Sequence, residues 1–117
     1  MWLINSIKYC FNDILFFIKN GYSISELWNL SYHISKMILP KLKAFRKYSG
    51  GTPGSLTIDE WHNILDEMIW TFEWEVSGKS DNPDMSIEEW ENIYDANWKR
   101  YNNGLKLFAE YFRELWY

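Results

Sequence analysis

Hydrophobic residues recur every three or four positions along most of the chain, which is the spacing of amphipathic helices. The pattern predicts an all-α fold: a single four-helix domain, similar to a helical bundle, with a long C-terminal helix. We expect the second helix to bend near Pro40, because proline removes one helical hydrogen bond. The four predicted helices lie at about residues 2–19, 24–48, 58–76 and 87–116.

The last predicted helix keeps its apolar spacing to the C-terminus and contains one helix-breaking residue. Gly104, which follows Asn102 and Asn103, costs a helix about 1 kcal/mol relative to alanine. The unbroken apolar spacing favours one long helix, and a kink or break at that point is the alternative. The apolar stripe of this helix consists of Ile87, Trp90, Tyr94, Trp98, Tyr101, Leu105, Phe108, Phe112 and Leu115.

Three of the helices begin with the same capping pattern, a hydroxyl residue followed three positions later by glutamate. The hydroxyl can accept a hydrogen bond from an early helical N–H, while the glutamate accepts one from the N–H of the hydroxyl residue. The first helix ends at Asn20-Gly21, a sequence typical of a left-handed helix terminus. The three pairs are Ser23 with Glu26, Thr57 with Glu60, and Ser86 with Glu89.

The aromatic content is the unusual part of the composition. The 117 residues suffice for one core, and they include eight Trp, eight Tyr and seven Phe, or 20% of the chain. Large rings stabilise a small domain because each buries much area at little entropic cost. Trp and Tyr also dominate binding hot spots. The excess is therefore compatible with core building and with a binding surface.

Charge and cysteine content narrow the classes of partner. The net charge is −4, from 12 basic and 16 acidic residues, which argues against general duplex nucleic-acid binding. Cys10 is the only cysteine, so no disulfide can form within the chain, and a reducing cytoplasm is expected. Residues 1–18 are apolar, but they are too short and too charged to span a bilayer, so we expect no membrane insertion.

Two loops lack the features of a phosphate-binding loop. Residues 49–55 are rich in glycine but have no Lys-Ser/Thr ending. Residues 76–84 contain Gly78-Lys79-Ser80 without the upstream glycine and the preceding strand that a nucleotide loop requires. We interpret both as connectors.

Trp70 and Trp74 lie one turn apart on the predicted third helix, nearly opposite its main apolar stripe. Asn63 and Glu67 share this face. Two large rings on a polar face are not explained by the core that the main stripe builds. They could be covered within the chain, by another subunit of a homo-oligomer, or by a ligand or host protein. We treat the four residues as a candidate interface.

Basic residues near the end of the second helix form a candidate ligand-binding patch. Cations there are favourable to the helix dipole, which explains them without any ligand. Cations beside aromatic rings can also clamp a phosphorylated nucleotide by charge and stacking. The candidate residues are Lys41, Lys43, Arg46, Lys47 and Tyr48, joined by Lys99 and Arg100.

Catalytic and metal-binding chemistry has little basis in the sequence. His62, Asp66 and Glu73 lie near one another on one helix, but a metal normally needs three well-placed ligands. A solvated helix flank explains these residues more simply than a hydrolase site does. His33 has no evident partner, and no spacing suggests a catalytic triad. We expect no enzymatic activity and no cofactor.

Three blocks of the sequence carry a resemblance to known proteins: residues 27–36, Thr57–Trp61 with 64–69, and 104–112 with Leu115-Trp116. With these blocks the chain resembles a group of small uncharacterised helical proteins of tailed bacteriophages and prophages. The resemblance covers residues 21–117, about four-fifths of the sequence, and it implies a phage product made in a bacterial cytoplasm. Its motifs are mostly capping and core residues, so it carries no chemistry over to this chain.

The leading hypothesis is a non-enzymatic binding protein that inhibits or sequesters a component of a host defence or other host process. Its partner would be a host bacterial protein or a small phosphorylated nucleotide, and we expect a homo-oligomer. The alternative is a structural or assembly accessory protein of the virion. A nucleotide-binding protein would use residues 41–47, and its melting temperature would rise with nucleotide.

Overall fold

The structure, a computed structural model, describes residues 2–77 and 85–116. The predicted all-α class is confirmed, because 82% of the described residues are helical and none of them forms a strand. The chain divides into two compact units, Met1–His33 and Ile34–Tyr117. The helices are α1 Trp2–Asn20, α2 Ser25–Trp28, α3 Leu30–Tyr48, α4 Ile58–Ser77 and α5 Ile87–Glu110, followed by a 3-10 helix at Phe112–Glu114.

Two of the predicted helices have different limits in the structure. The helix predicted at residues 24–48 is divided into α2 and α3 by Asn29, whose φ of −133° and ψ of 56° are not helical. Asparagine favours such interruptions because its side chain competes for backbone hydrogen bonds. The helix predicted at residues 87–116 ends at Glu110. Pro40 lies inside α3, which is helical on both sides of it.

The capping pattern is fully formed at one helix and half formed at two. At α4, Thr57 N donates to Glu60 Oε2 at 3.3 Å, and Glu60 N donates to Thr57 Oγ1 at 3.2 Å. At α5, Ser86 Oγ accepts from Glu89 N at 3.2 Å. Before α2, Ser23 N donates to the Glu26 carboxylate at 2.8 Å.

Thr57→Ala is expected to lower the free energy of unfolding by about 1 kcal/mol, because it removes the acceptor for one helical N–H of α4. Thr52→Ala, the same change at an exposed loop position, is expected to stay within about 0.5 kcal/mol of the wild type. Urea unfolding followed by circular dichroism measures both. Equal losses in the two variants would contradict the role of the cap.

The core of the second unit is centred on α4, which carries most of its buried side chains. The Trp61 ring makes edge contacts with the rings of Phe45 and Tyr111. Phe72 meets Phe108 of α5 in the same way, with ring centroids 5.1 Å apart. The apolar residues of this buried cluster are Leu42, Trp61, Leu65, Met68, Ile69 and Phe72.

Helices α4 and α5 lie close together at Gly104, where the sequence left a kink or break of the helix open. Helix α5 runs without interruption through this residue. A Cβ atom on Gly104 would overlap Thr71 Oγ1 and would lie 2.9 Å from the Glu67 carbonyl oxygen. Thr71 Oγ1 donates across the crossing to the Tyr101 carbonyl at 3.3 Å. The glycine is therefore needed for packing between helices.

The first unit contains α1, whose large apolar side chains are exposed. No residue of α1 is buried in the structure. The helix ends as predicted, at Gly21 with φ of +81°, and Gly21 N donates to Phe17 O at 2.7 Å. Phe16 makes an edge contact with Tyr22 at 5.6 Å. In the described part of the chain no helix combines the length and apolar character needed to cross a bilayer.

Candidate protein-binding surface

Trp74 is buried beneath a row of aromatic rings on α5. Its ring centroid lies 5.1 Å from that of Tyr101, 5.9 Å from Trp98 and 6.4 Å from Tyr94. Only 6% of Trp74 is exposed. Trp74 is therefore covered by another part of the same chain, which is the first of the three possibilities considered for this helix face.

The other three residues of the candidate interface lie at the edge of this contact. Trp70 is half-buried and stacks on Trp74 with ring centroids 6.1 Å apart. The Arg100 guanidinium lies over the Trp70 ring at 4.2 Å and donates two hydrogen bonds of 3.0 Å to the Glu67 carboxylate. Asn63 is exposed. The arginine therefore covers one indole of the candidate interface.

The rings above Trp74 form a stacked row along α5, which we call the aromatic strip: Trp90, Tyr94, Trp98 and Tyr101. Successive centroids are 4.9, 6.2 and 5.3 Å apart, and the interplanar angles are 15°, 9° and 19°. Spacings of four, four and three residues put all four rings on one helix face. The strip is a preformed row of stacked aromatic rings.

The outer part of the aromatic strip is open to solvent. Trp90, Tyr94 and Trp98 are 36–43% exposed, and Ile87, in line with them one turn earlier, is 79% exposed. Residues 87–98 contain four carboxylates and neither Lys nor Arg. The outer end of the strip therefore has an acidic border, and Lys99 and Arg100 follow at its inner end. The four acidic residues are Glu88, Glu89, Glu91 and Asp95.

Tyr101, at the inner end of the strip, is held in its neutral form. Burial raises the pKa of its hydroxyl above the usual value, and a hydrogen bond to Glu75 together with the charge of that carboxylate raises it further. The phenol therefore remains protonated near neutral pH and adds no charge to the strip.

The predicted phosphate-binding patch does not assemble as one site. Lys43 pairs with Glu73 at 2.7 Å, and Arg46 pairs with Asp66 through a hydrogen bond of 3.2 Å. Arg100 is committed to Glu67 instead. Because positions 66 and 67 point about 100° apart on a helix, the arginines lie on different sides of α4.

The remaining residues of that patch are exposed. The Lys47 ammonium lies 5.2 Å from the centre of the Tyr48 ring. Lys41 and Lys99 are exposed on α3 and α5. Three of the six cations that we expected to attract phosphate thus neutralise carboxylates of α4, which weakens the electrostatic case for a nucleotide.

His62, Asp66 and Glu73 are not arranged as a hydrolytic or metal site. Both carboxylates are engaged by cations of α3, and His62 is half-buried. No group of three or more potential ligands that could hold a metal occurs in residues 2–77 and 85–116.

A small cleft lies between the loop at residues 49–55 and the C-terminal segment. Its volume is about 220 Å³, below the roughly 300–1,000 Å³ of typical small-molecule pockets. It contains one carboxylate, that of Glu114, and borders the buried Trp61. The cleft is lined by Ser49, Gly51, Thr52, Pro53, Trp61, Glu114 and Trp116.

The Gly78-Lys79-Ser80 sequence, which we interpreted as part of a connector, lies outside the described residues.

The sequence interpretation included the aromatic strip in the single apolar stripe of the last helix. The spacing of Trp90, Tyr94 and Trp98 continues that of Leu105 and Phe108, which do pack on the core, so the period alone does not separate them. The run of acidic residues between the rings was the available indication, since core helix faces seldom have charges on their borders with no countercharge.

Comparison with known proteins adds no family to this description. No family model matches the chain, and no curated protein or solved structure is significantly similar to it.

Proposed function

We propose that this chain is a non-enzymatic protein-binding module of a bacteriophage that acts on a host protein in the bacterial cytoplasm. The observation that carries the proposal is the exposed aromatic strip of α5. Trp and Tyr are the residues that most often anchor protein interfaces, because rigid rings give a large contact area at little entropic cost.

The chemistry of the strip favours a partner segment that is both basic and apolar. A ring face of the strip that no neighbouring ring covers attracts Lys and Arg side chains. The four carboxylates on the same turns of α5 add charge of the same sign. A phosphorylated ligand would be repelled there, and three of the cations that could hold it elsewhere are already paired. A protein that blocks a host protein is therefore better supported than a protein that sequesters a nucleotide.

Removing the outer end of the strip is expected to abolish partner binding. In Ile87→Ala/Trp90→Ala the fold should persist, because Ile87 is largely exposed and the Trp90 ring stacks only on Tyr94 in the described ring contacts. Quantitative mass spectrometry of proteins retained from bacterial lysate would compare this variant with the wild type. We expect the variant to retain one or more proteins at least tenfold less than the wild type does. Retention of these proteins by the wild type should fall as salt is added.

Two controls separate this result from nonspecific hydrophobic binding and from nucleotide binding. Trp28→Ala removes a tryptophan that is 86% exposed outside the strip, and it should leave retention unchanged. A panel of cyclic and ADP-ribose-type nucleotides should leave the melting temperature unchanged. Equal retention by wild type and strip variant, or a clear nucleotide-induced rise in melting temperature, would refute the proposal.

A further inference from the structure

Helix α1 carries a heptad pattern of apolar residues, none of which is buried. Leu3, Ile7, Cys10, Ile14 and Phe17 follow one another at alternating spacings of four and three residues. This is the spacing of the a and d positions at which one helix packs against another. Residues next to this seam are also apolar in each heptad, and those on the opposite side are polar. The flanking apolar residues are Ile4, Phe11 and Ile18, and the opposite polar ones are Asn5, Asn12 and Lys19.

The apolar face of α1 is large enough for a stable interface. Its eight large apolar side chains are each between 48% and 73% exposed. If each exposes roughly 100 Å², the face offers on the order of 800 Å², about what one partner buries in a standard protein interface. A monomer rarely leaves so large a contiguous apolar patch in water. The eight are Leu3, Ile4, Ile7, Phe11, Ile14, Leu15, Phe17 and Ile18.

Charge favours a second copy of the chain over a lipid surface. The first unit contains two basic and two acidic residues, so its formal charge is zero, and two copies of it do not repel each other. Helices that lie on membranes have a polar face rich in Lys and Arg. The polar face of α1 has only Lys8 and Lys19, with Asp13 and several asparagines, in a chain of net charge −4. An anionic bilayer would attract it weakly.

We propose that α1 is a self-association helix, which packs its heptad seam against α1 of a second copy of this chain. Apolar residues beside the seam make the face wider than a strict two-stranded coiled coil requires, so a dimer or a larger helical assembly satisfies the proposal. This surface is separate from the aromatic strip, and its test does not depend on the identity of any host partner.

The test compares two double variants of the full chain that introduce the same charge on opposite sides of α1. Ile7→Lys/Ile14→Lys places two lysines in the seam, and Asn5→Lys/Asn12→Lys places them on the polar face. Sedimentation velocity over a concentration series measures the mass. We expect the wild type and the polar-face variant to be dimeric or larger, and the dissociation constant of the seam variant to rise at least a hundredfold. All four positions are exposed, so each variant should keep its helical circular dichroism spectrum.

Cys10 supplies a second measurement, because any disulfide formed by a chain with one cysteine is intermolecular. Mild oxidation should give covalent dimers of the wild type and the polar-face variant, and few of the seam variant. A wild type that is monomeric at every concentration would overturn the proposal, as would a seam variant that associates normally. A monomer that sediments with vesicles of phosphatidylcholine and phosphatidylglycerol would show that α1 is a membrane helix instead, and would also overturn it.

Discussion

Replacing Trp61 by alanine is expected to destabilise the second unit by about 4 kcal/mol, the usual cost of truncating a buried aromatic residue. Trp61 is 1% exposed and lies between the rings of Phe45 and Tyr111. Its removal leaves a cavity bounded by α3, α4 and the segment after α5, and these elements cannot all close on it. The melting temperature should fall by roughly 15–30 °C.

Guanidinium unfolding followed by far-UV circular dichroism measures this loss, and Trp28→Ala is the matched control. That tryptophan is 86% exposed, so its replacement should change the free energy of unfolding by no more than about 0.5 kcal/mol. Similar losses in the two variants, or a loss below about 1 kcal/mol for Trp61→Ala, would show that the Trp61 ring is not part of a tightly packed core.

The all-α class was predictable because the apolar period of a helix and its first residues depend on residues that are close together in the sequence. Apolar spacing identified α1, α4 and α5, and the Thr57/Glu60 pair marked the first residue of α4 correctly. The break at Asn29 was missed because the apolar spacing continues across it. A single residue with non-helical dihedral angles hardly disturbs a pattern that is averaged over several turns.

The environment of Trp70 and Trp74 was not predictable from one helix alone. The sequence indicated that two apolar faces exist on α4, but it could not show what covers each face. Helix α4 is central in its unit, so α5 covers the second face and buries Trp74. Arg100, 30 residues from Trp70 in the chain, covers the edge. Contacts between distant segments leave no periodic pattern in either one.

The same limit explains why the sequence did not separate the aromatic strip from the core or show the partners of the basic patch. Trp90 and Phe108 share one spacing along α5, yet only Phe108 packs on the core. Lys43 and Arg46 were grouped by closeness in sequence, although their function in the fold is set by the carboxylates of Glu73 and Asp66. A cation close to other cations suggests a ligand site only until its countercharge is known.

Gly104→Ala is expected to lower the free energy of unfolding by about 2–3 kcal/mol, although alanine is intrinsically the better helix former by about 1 kcal/mol. The added methyl would overlap Thr71 Oγ1, lie 2.7 Å from Thr71 Cβ, and lie 2.9 Å from the Glu67 carbonyl oxygen. Two of these atoms belong to a buried side chain, and the third is backbone of α4. The helices must therefore separate along their crossing, which loosens the contacts of Phe72 with Phe108.

The sign of the change distinguishes the two roles of this glycine. If Gly104 only lowered the helix propensity of α5, replacing it by alanine would stabilise the protein. Asn103→Ala, at the exposed neighbouring position, tests this effect of propensity alone and should be stabilising. If the close approach of α4 requires it, Gly104→Ala destabilises, and Thr71→Ala in the same chain restores part of the loss by removing the overlapping hydroxyl. Restoration should be incomplete, because the Glu67 carbonyl remains in place. Urea unfolding of the wild type and these three variants measures the changes, and a Gly104→Ala protein as stable as the wild type would exclude the close crossing.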